Sequence, residues 1–453
     1  MTVRPDVRRL RRTARVWRLT ARNGVRFVAH RVRRRLAPRH RRAELDDAFS
    51  LRTADDVARE LGNMKGALMK AGQLISFVVE ALPEPAQQSL SQLYSDAPPM
   101  TAELAASVVR EAFGRDPEQV FLDWQRHPVA AASIGQVHRA VTRDGRDVAV
   151  KVQYPGVGAA IEADLSNADL LYRMVSAFTL KGLDTRALVD ELRTRMRDEL
   201  DYRIEATNLH EVRRAFAGHP FVHLPEVLDE YTRTTVITTE WVEGLGWNDF
   251  VAQATPSAKQ RAGESIWRFA QHAILRLGLF NGDPHPGNYR FSPDGDVTFL
   301  DFGMVKRWAP GEWEQLAPCM DAIIVDRDPV ALVAAMEHSG FLRPGHGLDP
   351  QAVYDYVSSP YRPYLTDRFR FTREFMRDTL QRLVDVNGPH ALVIAQLDMP
   401  PSFLMLDRVV WGVSALLGKL ELEGPWRAML LEYRADAPPA TPLGEAELAW
   451  RRG

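Results

Sequence analysis

The sequence predicts a two-lobed α+β fold: a small β-containing N-lobe, a helical C-lobe and an added N-terminal helical extension. Three observations predict it. Between Phe121 and Gln153 the texture is one of short β-like runs, whereas the flanking regions follow helical spacing. One of those runs, Asp147-Val148-Ala149-Val150-Lys151-Val152, alternates and ends its polar side on a lysine. Far downstream, Asp283-Pro284-His285-Pro286-Gly287-Asn288 is followed, after twelve residues, by Asp301-Phe302-Gly303, with the largely apolar run Val297 to Leu300 between them.

The elements follow in order. Residues 1–45 form a basic amphipathic arm: positions 1–42 hold sixteen arginines against one acid, Asp6, a net charge of +15 that leaves −16 on the rest of a chain whose total is −1. Val7, Leu10, Ala14, Trp17, Ala21, Val28 and Val32 recur at spacings of three, four or seven and share one side of a helix. Docking on an anionic lipid surface through Trp17, Phe27 and the arginines is one reading of the arm, and a solvated, frayed segment with Gly24 and Pro38 is the other. Nucleic-acid binding is not expected, because the acidic remainder offers no second basic surface. Residues 46–115 read as a helical extension, with Leu61, Met64, Leu68 and Ile75 at helical spacings and prolines 83, 85, 98 and 99 breaking it.

Residues 116–243 read as the N-lobe with inserted helices. Arg143-Asp144-Gly145-Arg146 is a hairpin turn between two strands, long helices are expected at 158–178 and 184–217, and strands near 222–230 and 234–240. Trp241-Val242-Glu243-Gly244 is the expected hinge to a helical C-lobe at 244–435, and 436–453, rich in Ala, Pro and charge, is expected to be a flexible tail.

Composition sets bounds on function. At 453 residues, 45% hydrophobic and 26% charged, the chain is ordinary globular material. A single cysteine, Cys319, allows neither an internal disulfide nor a thiolate zinc cluster, which suits a reducing compartment. No run approaches the ~18 apolar residues of a membrane span, and the arm lacks the apolar centre of a secretory signal. Only seven of the 58 basic residues are lysines, a bias that with abundant Ala and Pro suggests a GC-rich bacterial gene.

The downstream motifs carry the chemistry. An Asp, an Asn five residues later and then Asp-Phe-Gly match the phosphoryl-transfer layout in which the loop Asp283 faces the nucleophile while Asn288 and Asp301 hold Mg²⁺. Oxygen donors are needed because Mg²⁺ is a hard cation that bridges nucleotide phosphates. The prolines and glycine of the first motif make a rigid non-helical loop suited to presenting side chains. Each fragment alone is weak, since a bare Asp-Phe-Gly after a strand is usually just a turn. Lys151 alone would be a surface charge; on an apolar strand upstream of the metal motif it matches the kinase lysine that contacts the α- and β-phosphates. Its acidic partner is expected on the following helix, where Glu199, Asp201 and Glu205 stand, with Glu205 the best placed. His285 reads either as a base or ligand or as a residue packed beside the loop.

Five features in order then resemble the UbiB/AarF/ADCK family of atypical, protein-kinase-like proteins: Lys70-Ala71-Gly72-Gln73, the alanine-rich segment Ala130 to His138, the Lys151 strand, Glu199 to Asn208, and the Asp283 to Gly303 pair. The resemblance spans roughly residues 50–310. It implies a bilobal protein-kinase-like fold, ATP and Mg²⁺ as cofactors, and a nucleotide loop of Ala131, Ala132, Ser133, Ile134, Gly135, Gln136 and Val137. Lys151 pairs with Glu205 in that scheme. Lys70 and Gln73, on a helix over the substrate face, are regulatory, opposite Glu199 and Asp201. An alanine-rich loop restricts backbone conformations that kinase glycines allow. Two departures from ordinary protein kinases stand out: Gly282 occupies the place of an arginine before Asp283, and no Ala-Pro-Glu follows Asp-Phe-Gly.

The implied function is an ATPase or atypical kinase supporting isoprenoid lipid or quinone metabolism at an anionic membrane surface, in the bacterial cytoplasm or peripheral on the inner face of the membrane. The alternatives are a nucleotide-binding interaction module that organises partner proteins, and a true protein kinase.

Overall fold

The computed structural model describes residues 100–158 and 194–453, apart from 133, 195, 386–387 and 399–400. The basic arm, Lys70, Gln73 and Ser133 lie outside the described residues. The described part divides, as expected, into a β-rich N-lobe and a helical C-lobe.

The N-lobe is an antiparallel sheet covered by a helix. Helix α1 (Ala102–Phe113) begins at Thr101, whose hydroxyl accepts from the Leu104 N–H, and stops at Gly114, left-handed with φ 71°. The strands β1 (Asp123–Trp124), β2 (Ala130–Ala132), β3 (Gly135–Val141), β4 (Asp147–Gln153) and β6 (Val236–Glu240) lie in the order β1-β3-β4-β6, with β2 also paired to β3. The short β5 (Val222–His223) belongs elsewhere. The β3–β4 turn closes where the Thr142 N–H donates to the Arg146 carbonyl at 2.9 Å, and Gly145, at φ 87°, takes its left-handed position.

Alternation sorts the sheet into two faces. Ala140, Val148, Val150 and Val152 pack with Ala105, Val108 and Val109 of α1 in one apolar core. This moves the expected boundary at 115: α1 belongs to the N-lobe, because its apolar stripe covers that face together with Val120, Phe121 and Leu228, while residues 46–99 of the expected extension lie outside the described residues. The opposite face carries Lys151, paired across the strands with Val137 and Ile237.

The expected helix over 184–217 is not continuous. Residues 196–198 are helical, 199–200 form a turn, and α2 (Tyr202–Ala215) restarts from Asp201, whose carboxylate accepts from the Arg203 N–H. An aspartate that caps a backbone amide favours a helix start over a helix interior, which is why the periodicity misled here.

In the C-lobe, α3 (Trp247–Gln253) and α4 (Pro256–His272) lead to four short strands, β7 (Leu279–Asn281), β8 (Tyr289–Phe291), β9 (Val297–Phe299) and β10 (Val305–Arg307). β7 pairs with β10, and β8 pairs with β9, to which β5 adds in parallel. Helices α5 (Glu312–Asp321), α6 (Pro329–His338), α7 (Pro350–Val357), α8 (Arg373–Val384), α9 (Ala391–Gln396), α10 (Pro401–Leu420) and α11 (Trp426–Arg434) follow in the same lobe. No helix among the described residues is long and apolar enough to cross a membrane.

The expected flexible tail is the other correction. Residues 442–452 form α12 (Pro442–Arg452), capped by Thr441, and Glu447 on it is buried. Arg268 of α4, fully buried, donates to Glu264 at 2.7 Å, to Glu432 of α11 at 2.8 Å and to Glu447 at 3.2 Å. His272 bonds Glu447 at 2.7 Å and the Tyr433 hydroxyl donates to the same carboxylate at 2.5 Å. Composition reads those charges as solvated, whereas the fold pairs them inside the lobe.

Candidate active site

The site is built where the polar face of the N-lobe sheet meets the short strands of the C-lobe. Lys151 projects from β4, and its Nζ donates to both carboxylate oxygens of Glu205, at 3.0 and 2.9 Å, and to Asp301 Oδ2 at 3.0 Å. The three groups come from positions separated by 54 and 150 residues. The side chains of Lys151 and Glu205 are only 15% and 7% exposed, so these bonds act with little screening. Burial works against the ammonium charge, but Asp301 and Glu205 outweigh it and hold Lys151 well above the ordinary lysine value. The Tyr202 ring lies 5.1 Å from the same ammonium.

Helix α2 is tied to the Asp-Phe-Gly segment a second time. Asn208 Nδ2 donates to the Phe302 carbonyl at 3.0 Å, and Arg307 donates to Asn208 Oδ1 at 3.0 Å. Phe302 itself is buried, and the Gly303 N–H donates to Asp301 Oδ1 at 3.0 Å. The helix that carries Glu205 and the segment that carries Asp301 are thereby locked in one arrangement.

The loop 282–288 sits beside them. The β8–β9 register pairs Tyr289 with Phe299, and the Leu300 N–H donates to the Asn288 carbonyl at 2.9 Å, so Asn288 and Asp301 emerge at the same end of one hairpin. Asn288 Nδ2 donates to Asp283 Oδ2 at 3.1 Å, so that its side-chain Oδ1 and the Asp301 carboxylate, which also accepts from Lys151 and the Gly303 N–H, are the hard oxygen donors here. That donor set fits Mg²⁺, which takes one or two protein oxygens and completes its shell with phosphates and water. Asn281 positions both segments: its Nδ2 donates to the Asp301 carbonyl at 2.6 Å and its Oδ1 accepts from the Asp283 N–H at 2.9 Å. His285 Nδ1 accepts from the Gly287 N–H at 3.1 Å and shapes the turn.

The other sequence-predicted residues separate. In the β2–β3 hairpin, Ala132 pairs with Gly135 and Ala131 with Gln136, and across β3–β4 Val137 pairs with Lys151. Ala132 and Val137 therefore share the Lys151 face, and Ala131 and Gln136 lie on the other. The grouping of Gln136 and Ile134 as nucleotide contacts is corrected for their side chains. Gln136 is buried and bonded to the Met100 N–H at 3.0 Å and to His138 at 2.9 Å, and Ile134 is a core residue. Gly135 is required because a Cβ there would stand 2.2 Å from the Val152 carbonyl oxygen. Glu199 is buried at the turn before α2. Asp201 bonds Arg203, which holds its carboxyl below the usual range.

Three positioning residues carried no assignment in the sequence. Asn208 stood in the matched Glu199 to Asn208 segment, and its spacing of three from Glu205 was the available signal. Asn281, two before Asp283, gave none. Arg408, on α10, donates to Asp283 Oδ1 at 2.6 Å from 125 residues away, and as one of 51 arginines it was indistinguishable from its fellows.

The comparisons decide the family. The profile of the ABC1 atypical kinase-like domain matches residues 92–336, just over half the chain. The chain belongs to the UbiB/ABC1 atypical kinase-like family. It is 30% identical over 308 residues to an uncharacterised protein of Synechocystis, covering 67% of this chain and 54% of that one. It is 34% identical over 255 residues to the chloroplastic Protein ACTIVITY OF BC1 COMPLEX KINASE 1 of Arabidopsis thaliana, covering 54% and 36%, and 30% identical over 277 residues to a probable protein kinase UbiB of Marinobacter nauticus, covering 59% and 50%. The chain thus spans about a third to a half of the length of these relatives. Among solved structures it is similar to Rv3197 of Mycobacterium tuberculosis, determined in complex with erythromycin, with a TM-score of 0.61 at 32% identity over 82% of this chain and 93% of that one. The bilobal kinase-like architecture of this UbiB/ABC1 protein is that of its structural relative.

Proposed function

We propose that this UbiB/ABC1 protein binds Mg·ATP in the cleft between the lobes and hydrolyses it, or passes its γ-phosphoryl group to a non-peptide acceptor at a membrane surface. The observation that carries the reading is Lys151 held between Glu205 and Asp301, beside the Asp283–Asn288 pair. A lysine shared by two carboxylates is pre-positioned to meet the α- and β-phosphates. Asp301 and Asn288 would hold Mg²⁺, whose charge would offset that of the phosphates during transfer. Asp283 would orient the attacking oxygen and accept its proton.

The spacing after Asp-Phe-Gly supports a non-peptide acceptor. β10 ends at Arg307 and α5 begins at Glu312, which leaves a short connection where protein kinases carry a peptide-docking segment. A role in isoprenoid lipid or quinone metabolism rests on the family resemblance and on the cationic arm. In this reading Lys70 and Gln73 restrain transfer to peptides. The deciding experiment is Mg²⁺-dependent ATP turnover by the purified full chain, with and without anionic liposomes carrying an isoprenoid quinone precursor. Turnover that rises on the liposomes and is lost in Asp301→Asn is expected. Turnover untouched by Asp301→Asn would remove the site assignment, and Lys70→Ala with unchanged turnover and autophosphorylation would remove the restraint.

A further inference from the structure

Helix α10 lies outside the part of the chain that the family profile matches, yet it touches the loop bearing Asp283 at three successive points on one face. A Cβ on Gly282 would stand 2.5 Å from Met405 Sδ, and a Cβ on Gly412 would stand 2.2 Å from Pro284 Cγ. Between these two contacts Arg408, its side chain 9% exposed, donates from Nε to the Gly282 carbonyl at 2.7 Å and from Nη2 to Asp283 Oδ1 at 2.6 Å. Met405, Arg408 and Gly412 stand at i, i+3 and i+7, the spacing of a single helical stripe. Val409 and Val413, on the same side, line a small cavity under the loop with Pro284 and Tyr289.

We propose that Arg408 is a positioning residue for the reaction, and that α10 is the support against which the catalytic loop is set. This rests on the reading of Asp283 as the group that orients the nucleophile. With Oδ1 fixed by Arg408 and Oδ2 turned to Asn288, the carboxylate has one rotamer. The planar guanidinium suits the task because it spans a backbone carbonyl and a carboxylate at once, which a lysine ammonium does with poorer geometry.

The test compares the full-length wild type with Arg408→Ala, Arg408→Lys and Gly412→Ala. Arg408→Ala is expected to lower kcat by about 10²-fold with KM for ATP changed by less than about twofold, since misplacement of a reacting group by about 1 Å has an effect of that order. Added guanidinium ion should restore part of the activity of Arg408→Ala and none of Gly412→Ala, while Arg408→Lys should fall between wild type and Arg408→Ala. Amide hydrogen exchange of the peptide covering 282–289 should quicken in Arg408→Ala without nucleotide present. Unchanged kcat in Arg408→Ala overturns the proposal, as does a loss of kcat and ATP affinity in equal measure with no guanidinium rescue. If the wild type itself does not turn over ATP, the fault lies in the functional reading, and the exchange of residues 282–289 alone decides whether Arg408 sets the loop.

Discussion

Asp283 has each carboxylate oxygen claimed by a different element, Arg408 on one side and Asn288 on the other, and that arrangement governs what its removal does. Asp283→Asn keeps the size and one acceptor oxygen but loses the charge that faces Arg408 and the capacity to take a proton. The expected outcome is a large fall in kcat with nucleotide affinity nearly kept, read from steady-state kinetics beside equilibrium binding. An equal loss in both would mark a structural role. Lys151 and Glu205 were legible because few lysines compete for attention and the kinase order restricts the partner to one helix. Arg408 was not legible, because arginine is the commonest cation of this chain and nothing in its neighbourhood announces a contact 125 residues away.

Strands and helices place these residues through a few close approaches. The β3–β4 pair brings Val152 so near Gly135 that a Cβ would meet its carbonyl oxygen at 2.2 Å. Gly135→Ala is therefore expected to destabilise the N-lobe by about 1–3 kcal/mol, as over-packing does, and to weaken nucleotide binding by moving the β2–β3 turn. Denaturant unfolding of the variant checks the first effect and nucleotide titration the second. The hairpin turn at Gly145 and the alternation of β4 were readable from local chemistry, since glycine and period-two patterning act within a few residues. The break before α2 was not, because Asp201 as a helix cap and Asp201 as a helical residue fit the same hydrophobic spacing.

Across the whole molecule, the buried cluster around Arg268 fastens the C-terminal helix to the C-lobe core. Burial raises the Glu447 carboxyl, but the histidines, Tyr433 and Arg268 facing it more than compensate and hold it well below its ordinary value of 4.5. A depressed folded value means that Glu447 contributes stability above the unfolded value, and that this contribution is lost as pH falls below about 4.5 toward the folded value. Glu447→Gln should lower stability at pH 7 by about 3–5 kcal/mol, the range for breaking a buried ion pair. The gap to wild type should narrow as the pH falls through that window, which urea titrations of both proteins at several pH values would show. The arm makes a separate prediction. Removing residues 1–42 takes away +15 of charge and none of the nucleotide motifs. Binding to anionic vesicles at low salt, where attraction between charges is least screened, should be lost while nucleotide affinity is kept. Vesicle binding by the truncated chain equal to that of the full chain would assign the membrane role elsewhere.

By itself the sequence determined the two-lobed plan, the family and the Lys151–Glu205–Asp301 grouping, because those depend on residue order, strand alternation and the ordered motifs between Asp283 and Gly303. Tertiary structure alone decided that Gln136 and Ile134 turn into the N-lobe core, that α1 covers that core, that residues 442–452 form a docked helix, and that Arg408 sets Asp283. The physical reason is common to these cases. Which face a side chain takes, and which charge it meets once buried, follow from strand register and long-range packing, and neither leaves a trace in the spacing of residues along the chain.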